Sequence, residues 1–315
     1  MLKLTRFKGN PIIAPRQGRG WEIGGTFNPG AVDAKGTIHL LYRAVGANRI
    51  SRLGYAQTLN GKDISFRSSK PVLEPSADWE EFGCEDPRIT HLDNLFYITY
   101  TAYSKRGPRL ALASTKDFLH FSKYGLVGPD LDDKDFVIFP KRINGKIAIL
   151  HRLESKVQVA YFKDLGALTH PQGYWDDYLK YIDDYEVLKP EFQWEKFKVG
   201  VGPPPIKTDR GWLVIYHGID VNRVYRAGAV LLDLHDPEKI LARSKEPILE
   251  PKTAFEKQGI VPNVVFPTGA VILEGELLVY YGGADRVCCI ASAPIDKFLD
   301  ELENEPQHHF KHLEH

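Results

Sequence analysis

Sulfur is scarce in this chain: its 315 residues include three cysteines and one methionine. Cys288 and Cys289 are adjacent and Cys84 lies far from them, a spacing that supports neither a disulfide framework nor a metal site. All three are expected to be reduced core residues. Net charge is also absent, because 41 basic residues balance 41 acidic ones. No overall field then draws the protein to nucleic acid or to an anionic membrane. No apolar run approaches the roughly eighteen residues that a membrane helix needs. The segment Met1 to Asn10 lacks the apolar centre of a signal peptide. These absences lead us to expect a soluble, cytoplasmic protein with no nucleic-acid or membrane partner.

What is present is a unit written five times. Each copy pairs a proline-marked apolar strand start with a strand about a dozen residues later that ends in an aromatic, a histidine or an arginine. Asn28-Pro29 leads to Ile38–Arg43, and Asp86-Pro87 to Leu95–Tyr100. Phe139-Pro140 leads to Ile147–Arg152, Pro204-Pro205 to Trp212–His217, and Phe266-Pro267 to Leu277–Tyr281. A third strand follows each pair, the first being Leu53–Ala56 and the last Cys288–Ala291. An echo between copies sets Pro71–Pro75 with Trp79-Glu80 against Pro247–Pro251 with Phe255-Glu256. Weaker versions carry Trp21-Glu22 and Trp194-Glu195. Short strands repeating every fifty to sixty residues or so are the mark of propeller blades. The expected fold is all-β, a five-bladed β-propeller, forming a single catalytic domain over residues 1–312. Within it, 165–184 reads as a partly helical insertion and 295–312 as a tail that opens with a short amphipathic helix. Residues 313–315 resemble the remnant of an expression tag.

In a propeller the innermost strands line a central channel, so equivalent positions of different copies converge there. At the proline-marked position the copies offer Asn28, Asp86, Phe139, Pro204 and Phe266, so Asp86 is the one carboxylate of the set. Beside apolar walls its pKa would rise, suiting it to general-acid work. The plainer alternative is that it caps the turn before Pro87. The strand ends favour chemistry, because Arg43, His151 with Arg152, Tyr216 with His217, and Asp285 would ring one opening. Lys134 and Lys198 stand just ahead of the third and fourth copies.

Seven motifs, in order, carry a family resemblance. They are Asn28-Pro29, Tyr42-Arg43-Ala44, the run Gly83 to Arg88, Phe139-Pro140, the run Gly202 to Ile206, Tyr216-His217-Gly218, and the run Tyr281 to Asp285. Together they resemble family 130 of the glycoside hydrolases, whose best-known members are inverting β-mannoside phosphorylases. The resemblance extends from about Asn10 to Ile295. It implies that Asp86 is the general acid and delivers its proton through the mannose 3-hydroxyl. It also implies a substrate-binding set of Asn28, Arg43, Arg88, Lys198 and Asp285, and a phosphate-binding set of Lys134, Arg152 and His217. No metal and no cofactor are implied beyond inorganic phosphate as co-substrate. The expected partners are a β-manno-oligosaccharide and phosphate, with a homo-oligomer as a further expectation.

The residues themselves agree with phosphorolysis. Inverting hydrolysis uses two carboxyls about 6.5 to 9.5 Å apart, one of them a base. Five-bladed relatives that use water carry an aspartate in the first copy, where this chain has Asn28. Phosphate is already an anion and needs cations rather than a base. The competing readings are a β-mannosidase, with Glu154 or Glu191 as base, and a non-catalytic glycan-binding propeller. In the latter, Tyr103, Tyr174, Trp175 and Tyr178 would stack on sugars at the mouth.

Overall fold

Four short hairpins set the local pattern. Lys35-Gly36, Asp93-Asn94, Asn144-Gly145 and Glu274-Gly275 each place two consecutive residues at positive φ, the two-residue turn whose twist matches that of paired strands. Each such turn joins the first and second strands of a group. In this computed structural model, which describes residues 2–305, the strands form four hydrogen-bonded sheets. The largest contains two antiparallel groups. Gly25–Ala34, Thr37–Val45, Ser51–Thr58 and Ile64–Arg67 make one, and Gly83–Leu92, Leu95–Ser104, Gly107–Thr115 and Phe121–Leu126 make the other. A single parallel bridge, Ser51 to Gly83, links them.

A third group runs Asp133–Ile138, Ile147–Leu153, Val157–Phe162 and Glu186–Leu188. In the fourth, the first strand is broken into Lys198–Val201 and Ile206–Lys207, followed by Trp212–Ile219, Tyr225–Leu232 and Ile240–Arg243. The last group takes Val265–Leu273, Glu276–Gly283 and Val287–Pro294, and its outer strand is Thr5–Arg6 from the other end of the chain. The fold is therefore all-β. Helix is confined to short segments such as Leu165–Thr169 and Tyr174–Lys180, and to Ile295–Glu303. No helix of the described residues is long and apolar enough to cross a membrane. The expected tag remnant and the end of the tail lie outside the described residues.

The core is divided among clusters that sit between neighbouring groups. Leu41 meets Ile89 and Ile98; Leu112 meets Phe136 and Ile149; Leu150 meets Val214; Ile215 meets Val279; and Leu278 meets Leu40 and Tyr42. First strands also approach backbone to backbone. A Cβ on Gly30 would lie 2.6 Å from the Pro87 carbonyl oxygen, and one on Gly269 would lie 2.5 Å from that of Pro29. Only glycine permits such proximity. The helix Ile295–Glu303 buries Ile295, Phe298, Leu299 and Leu302 beside Leu2 and Leu4, the amphipathic arrangement expected of it. The three cysteines are buried and unpaired.

The tryptophan-glutamate echo has a structural meaning. Tyr42, Tyr100, Tyr216 and Tyr281 each donate a phenolic hydrogen bond to a buried glutamate, respectively Glu22, Glu80, Glu195 and Glu256. Each glutamate also pairs with a cation of its group's outer strand: Arg67, Lys123, Arg243 and Arg6. The third group departs from the pattern. There His151 lies 2.7 Å from Asp133 and 3.0 Å from the hydroxyl of Tyr178 on the helix Tyr174–Lys180. Glu195→Ala is expected to cost about 3 kcal/mol, because it removes the fully buried carboxylate to which both Arg243 and Tyr216 bond. Tyr216→Phe should cost about 1 kcal/mol, for one hydrogen-bonding hydroxyl. Guanidinium denaturation of the two variants checks this order, and equal losses would contradict it.

Candidate active site

In Gly25–Ala34, Gly83–Leu92 and Asp133–Ile138 the pairing register slips once, and a residue in left-handed backbone occupies each slip. These residues are Asn28 (φ 50), Asp86 (φ 51) and Asp135 (φ 57). Asn and Asp adopt this conformation more readily than other non-glycine residues, and a bulge re-aims the side chain it carries. The third member corrects the sequence reading. The strand ends at Ile138, before Phe139-Pro140, so the position equivalent to Asp86 belongs to Asp135, with Phe136 where the other copies have proline. Asp86 is thus not the sole carboxylate of its set.

Asp86 is 2 % exposed and well supplied with partners. Its Oδ1 accepts from Asn28 Nδ2 at 2.7 Å and from Arg43 Nη1 at 3.2 Å, and Lys134 Nζ stands 3.7 Å from Oδ2. Burial alone would raise its pKa, but the charges of Arg43, Lys134 and Arg88 prevail and bring it down to about 2. The expected apolar wall is in fact cationic, and the expected rise is a fall. Arg43 divides its guanidinium among Ser51, Glu85 at 2.6 Å and Asp86. Glu85 lies in the motif that carries the resemblance, but the sequence reading gives it no role.

A second cluster adjoins the first through Lys134, which pairs with Arg152 across the ladder. Arg152 Nε lies 3.1 Å and His217 Nε2 3.6 Å from Asp135 Oδ2, and Arg88 Nη2 donates to Oδ1 at 3.0 Å. His217 is 1 % exposed, and burial with the nearby charges of Arg152 and Arg88 lowers its pKa to about 3, against the pull of Asp135. Its ring is neutral near pH 7, so it offers a directional N–H rather than the charge expected of it. Burial, then Arg152 and Lys134, lower Lys198 to about 8.

Asp285 sits at φ 52 in the hairpin between Glu276–Gly283 and Val287–Pro294. Burial and the charges of Asp86 and Glu85 raise its pKa to about 6, against the pull of Arg43 and Lys134. Arg88 is a correction to the substrate-binding set. It is 1 % exposed and spends its guanidinium on Gly202 O, Val201 O, Asp86 O and Asp135, underneath the site. Glu154 is exposed, and Glu191 is bound to Arg243 at 3.1 Å, so neither is poised as a base. Trp175 and Tyr178 are core residues that pack with Phe162 and His151, not sugar platforms. Tyr103 stays exposed beside Phe82.

Residues 4–304 match the model of a glycoside hydrolase family described as beta-1,4-mannooligosaccharide phosphorylase. The chain belongs to glycoside hydrolase family 130. Among its relatives, a 1,2-beta-oligomannan phosphorylase of Thermoanaerobacter sp. (strain X514) is 42% identical, the match covering 92% of this chain and 97% of the relative. A beta-1,2-mannobiose phosphorylase of the same strain is 37% identical, over 90% and 95%. A solved beta-1,2-mannobiose phosphorylase from Listeria innocua, in complex with beta-1,2-mannobiose, superposes with TM-score 0.81 at 29% identity, covering 96% of this chain and 99% of that one.

The carboxyl of Asp285 gives this family-130 site a stability cost with a definite pH window. An unfolded aspartate ionises near pH 4, whereas Asp285 in the folded chain holds its proton to about 6. Its contribution to stability is therefore full below pH 4 and lost as pH rises through 6. Asp285→Asn should raise the unfolding free energy by on the order of 1 kcal/mol at pH 7 and leave it unchanged at pH 4. Denaturant titrations at the two pH values check this, and a variant destabilised at pH 7 would contradict it.

Proposed function

We propose that this chain is an inverting β-mannoside phosphorylase that acts on β-1,2-linked manno-oligosaccharides. It transfers a non-reducing mannosyl unit to orthophosphate, giving α-mannose 1-phosphate, and the reaction is reversible. One observation carries the reading: Lys134 stands 3.7 Å from the Asp86 carboxylate and opposite Arg152 in the same ladder, so acid and anion-binding cations meet at one place. The two relatives and the solved structure, all named for β-1,2 linkages, support the linkage. The fold we infer is a five-bladed propeller forming a single domain. Its support is the succession of core clusters between neighbouring groups and the pairing of Thr5 with Ser292, which brings the chain's beginning into its last group. Three unpaired, buried cysteines support a reducing, cytoplasmic setting.

In this reading Asn28, Arg43 and Asp285 hold the mannosyl unit, with Lys198 beside it. Phosphate is gripped by Arg152 and Lys134 through charge-assisted bonds, and His217, whose Nε2 faces Asp135, completes the phosphate subsite. Asp86 supplies the leaving-group proton by way of the mannose 3-hydroxyl. The free site keeps Asp86 ionised. A phosphate dianion beside Lys134 and Arg152 cancels part of the positive field responsible, which favours the protonated acid once the site is loaded. As a phosphate oxygen bonds to the anomeric carbon from one face, the glycosidic bond breaks on the other and its oxygen takes that proton. No second carboxylate is required, because the nucleophile arrives already charged.

Turnover of β-1,2-mannobiose should depend on phosphate and yield mannose 1-phosphate. Equal turnover to free mannose without phosphate would reject the reading. Asp86→Asn should lower the rate by about 10³-fold with the fold intact, because an amide cannot give the proton. With mannose 1-phosphate and mannose the reverse reaction should form the β-1,2 disaccharide, and a β-1,4 product would overturn the linkage assignment.

A further inference from the structure

Asp135 belongs to neither residue set drawn from the sequence, yet its carboxylate touches both the phosphate cluster and the residue that braces the acid. We propose that Asp135 is the positioning residue of the phosphate subsite: it holds Arg152 and His217 in register and couples them, through Arg88, to the main chain of Asp86. The proposal rests on the reading of Arg152 and His217 as phosphate ligands.

The geometry forms a continuous strut. Asp135 Oδ2 lies between Arg152 Nε at 3.1 Å and His217 Nε2 at 3.6 Å, and Oδ1 accepts from Arg88 Nη2 at 3.0 Å. Arg88 Nη1 then donates to the Asp86 carbonyl at 3.0 Å, while its Nε holds Gly202 O at 2.8 Å. One carboxylate and one guanidinium thus span from the acid's backbone to both phosphate ligands. Asp135 approaches Arg152 from the Nε side as an ion pair, for neither Oδ2 nor Nε makes a hydrogen bond among the described residues. The end of the guanidinium that grips an oxyanion stays available.

The surroundings are shaped for this contact. Gly200 pairs with His217 in the ladder, and a Cβ there would fall 2.4 Å from Asp135 Oδ2 and 2.6 Å from His217 Nε2. Carboxylate and imidazole come together only because that side chain is missing. Burial works against ionisation of Asp135, but Arg152, His217, Arg88 and Lys134 outweigh it and hold the carboxyl below the usual range. A negative charge inside an anion site would be perverse as a ligand. As a brace it is sensible, because Arg88 and Arg152 are buried and would repel one another without it.

Asp135→Asn keeps the shape and removes the charge, while Gly200→Ala keeps the charge and pushes the carboxylate from the imidazole. Both should raise the KM for phosphate by about tenfold or more, leaving the KM for β-1,2-mannobiose within about twofold. In Asp135→Ala, added formate should lower the phosphate KM again by refilling the carboxylate position. A folded Asp135→Asn with unchanged phosphate KM, or both KM values rising in parallel with loss of stability, would overturn the proposal. If Asp135→Asn does not fold, the same split is read on Gly200→Ala, and its absence there is equally decisive. Phosphate-independent turnover by the unmodified enzyme would instead remove the phosphorylase reading, and this inference with it.

Discussion

Charges gathered where water is scarce must be paired, since an uncompensated buried ion costs several kcal/mol. The centre of this molecule is governed by that requirement. Arg88, Arg152, Arg43 and Lys134 are balanced by Asp135, Asp86 and Glu85 through contacts of 2.6 to 3.7 Å. The balance is not complete. Asp285 is buried, has no ion pair among the described residues and tends to keep its proton, while the guanidinium of Arg43 is divided among Ser51, Glu85 and Asp86. Lys198, crowded by like charges, tends to lose one. A hydroxyl-rich sugar and an incoming anion are the kinds of ligand that would relieve both imbalances.

The same rule operates away from this cluster in a tamer form. In four of the strand groups a tyrosine, a glutamate and an outer-strand cation close on one another. Each set fastens a connecting loop to the sheet it precedes. In the third group the place of the tyrosine is taken by His151, whose partners are Asp133 and Tyr178. That exchange ties the helical segment 174–180 to the sheet, alongside the bonds of Tyr178 to Val159 O and of Trp175 to Val127 O. The outlying helix therefore answers a vacancy in the repeat rather than decorating it.

Much of this was legible in the residues. The recurring proline and the short repeated strands disclosed the groups, and the resemblance brought Asn28, Arg43, Asp86, Lys134, Arg152, Lys198, His217 and Asp285 to one region, where the structure gathers them. The failures have physical causes. Proline marks the bulge in two copies, but Asp135 is followed by Phe136, and the nearby Pro140 is a misleading marker in the third. Asp135 and Glu85 draw their meaning from partners contributed by other groups, which no local pattern contains. The ionisation of Asp86 departs from expectation for the same reason: apolar residues hold the proline-marked positions of the later copies, but cations from other strands surround the carboxylate in space. The glutamate of the Trp-Glu echo was visible, but its tyrosine partner, about twenty residues onward, was not.

The amide of Asn28 has one more implication. Its Nδ2 is 2.7 Å from the acid's oxygen, whereas a water molecule activated between two carboxyls needs them about 6.5 to 9.5 Å apart. Exchanging that amide for a carboxyl would not create a hydrolase. It would make a dyad sharing a single proton, with one member's affinity for that proton strongly increased. At residue 28 the step from phosphorolysis to water-splitting therefore cannot be taken by one atom. It demands that the backbone at the first bulge withdraw, and the close seating of Gly30 against Pro87 leaves little slack for such a withdrawal.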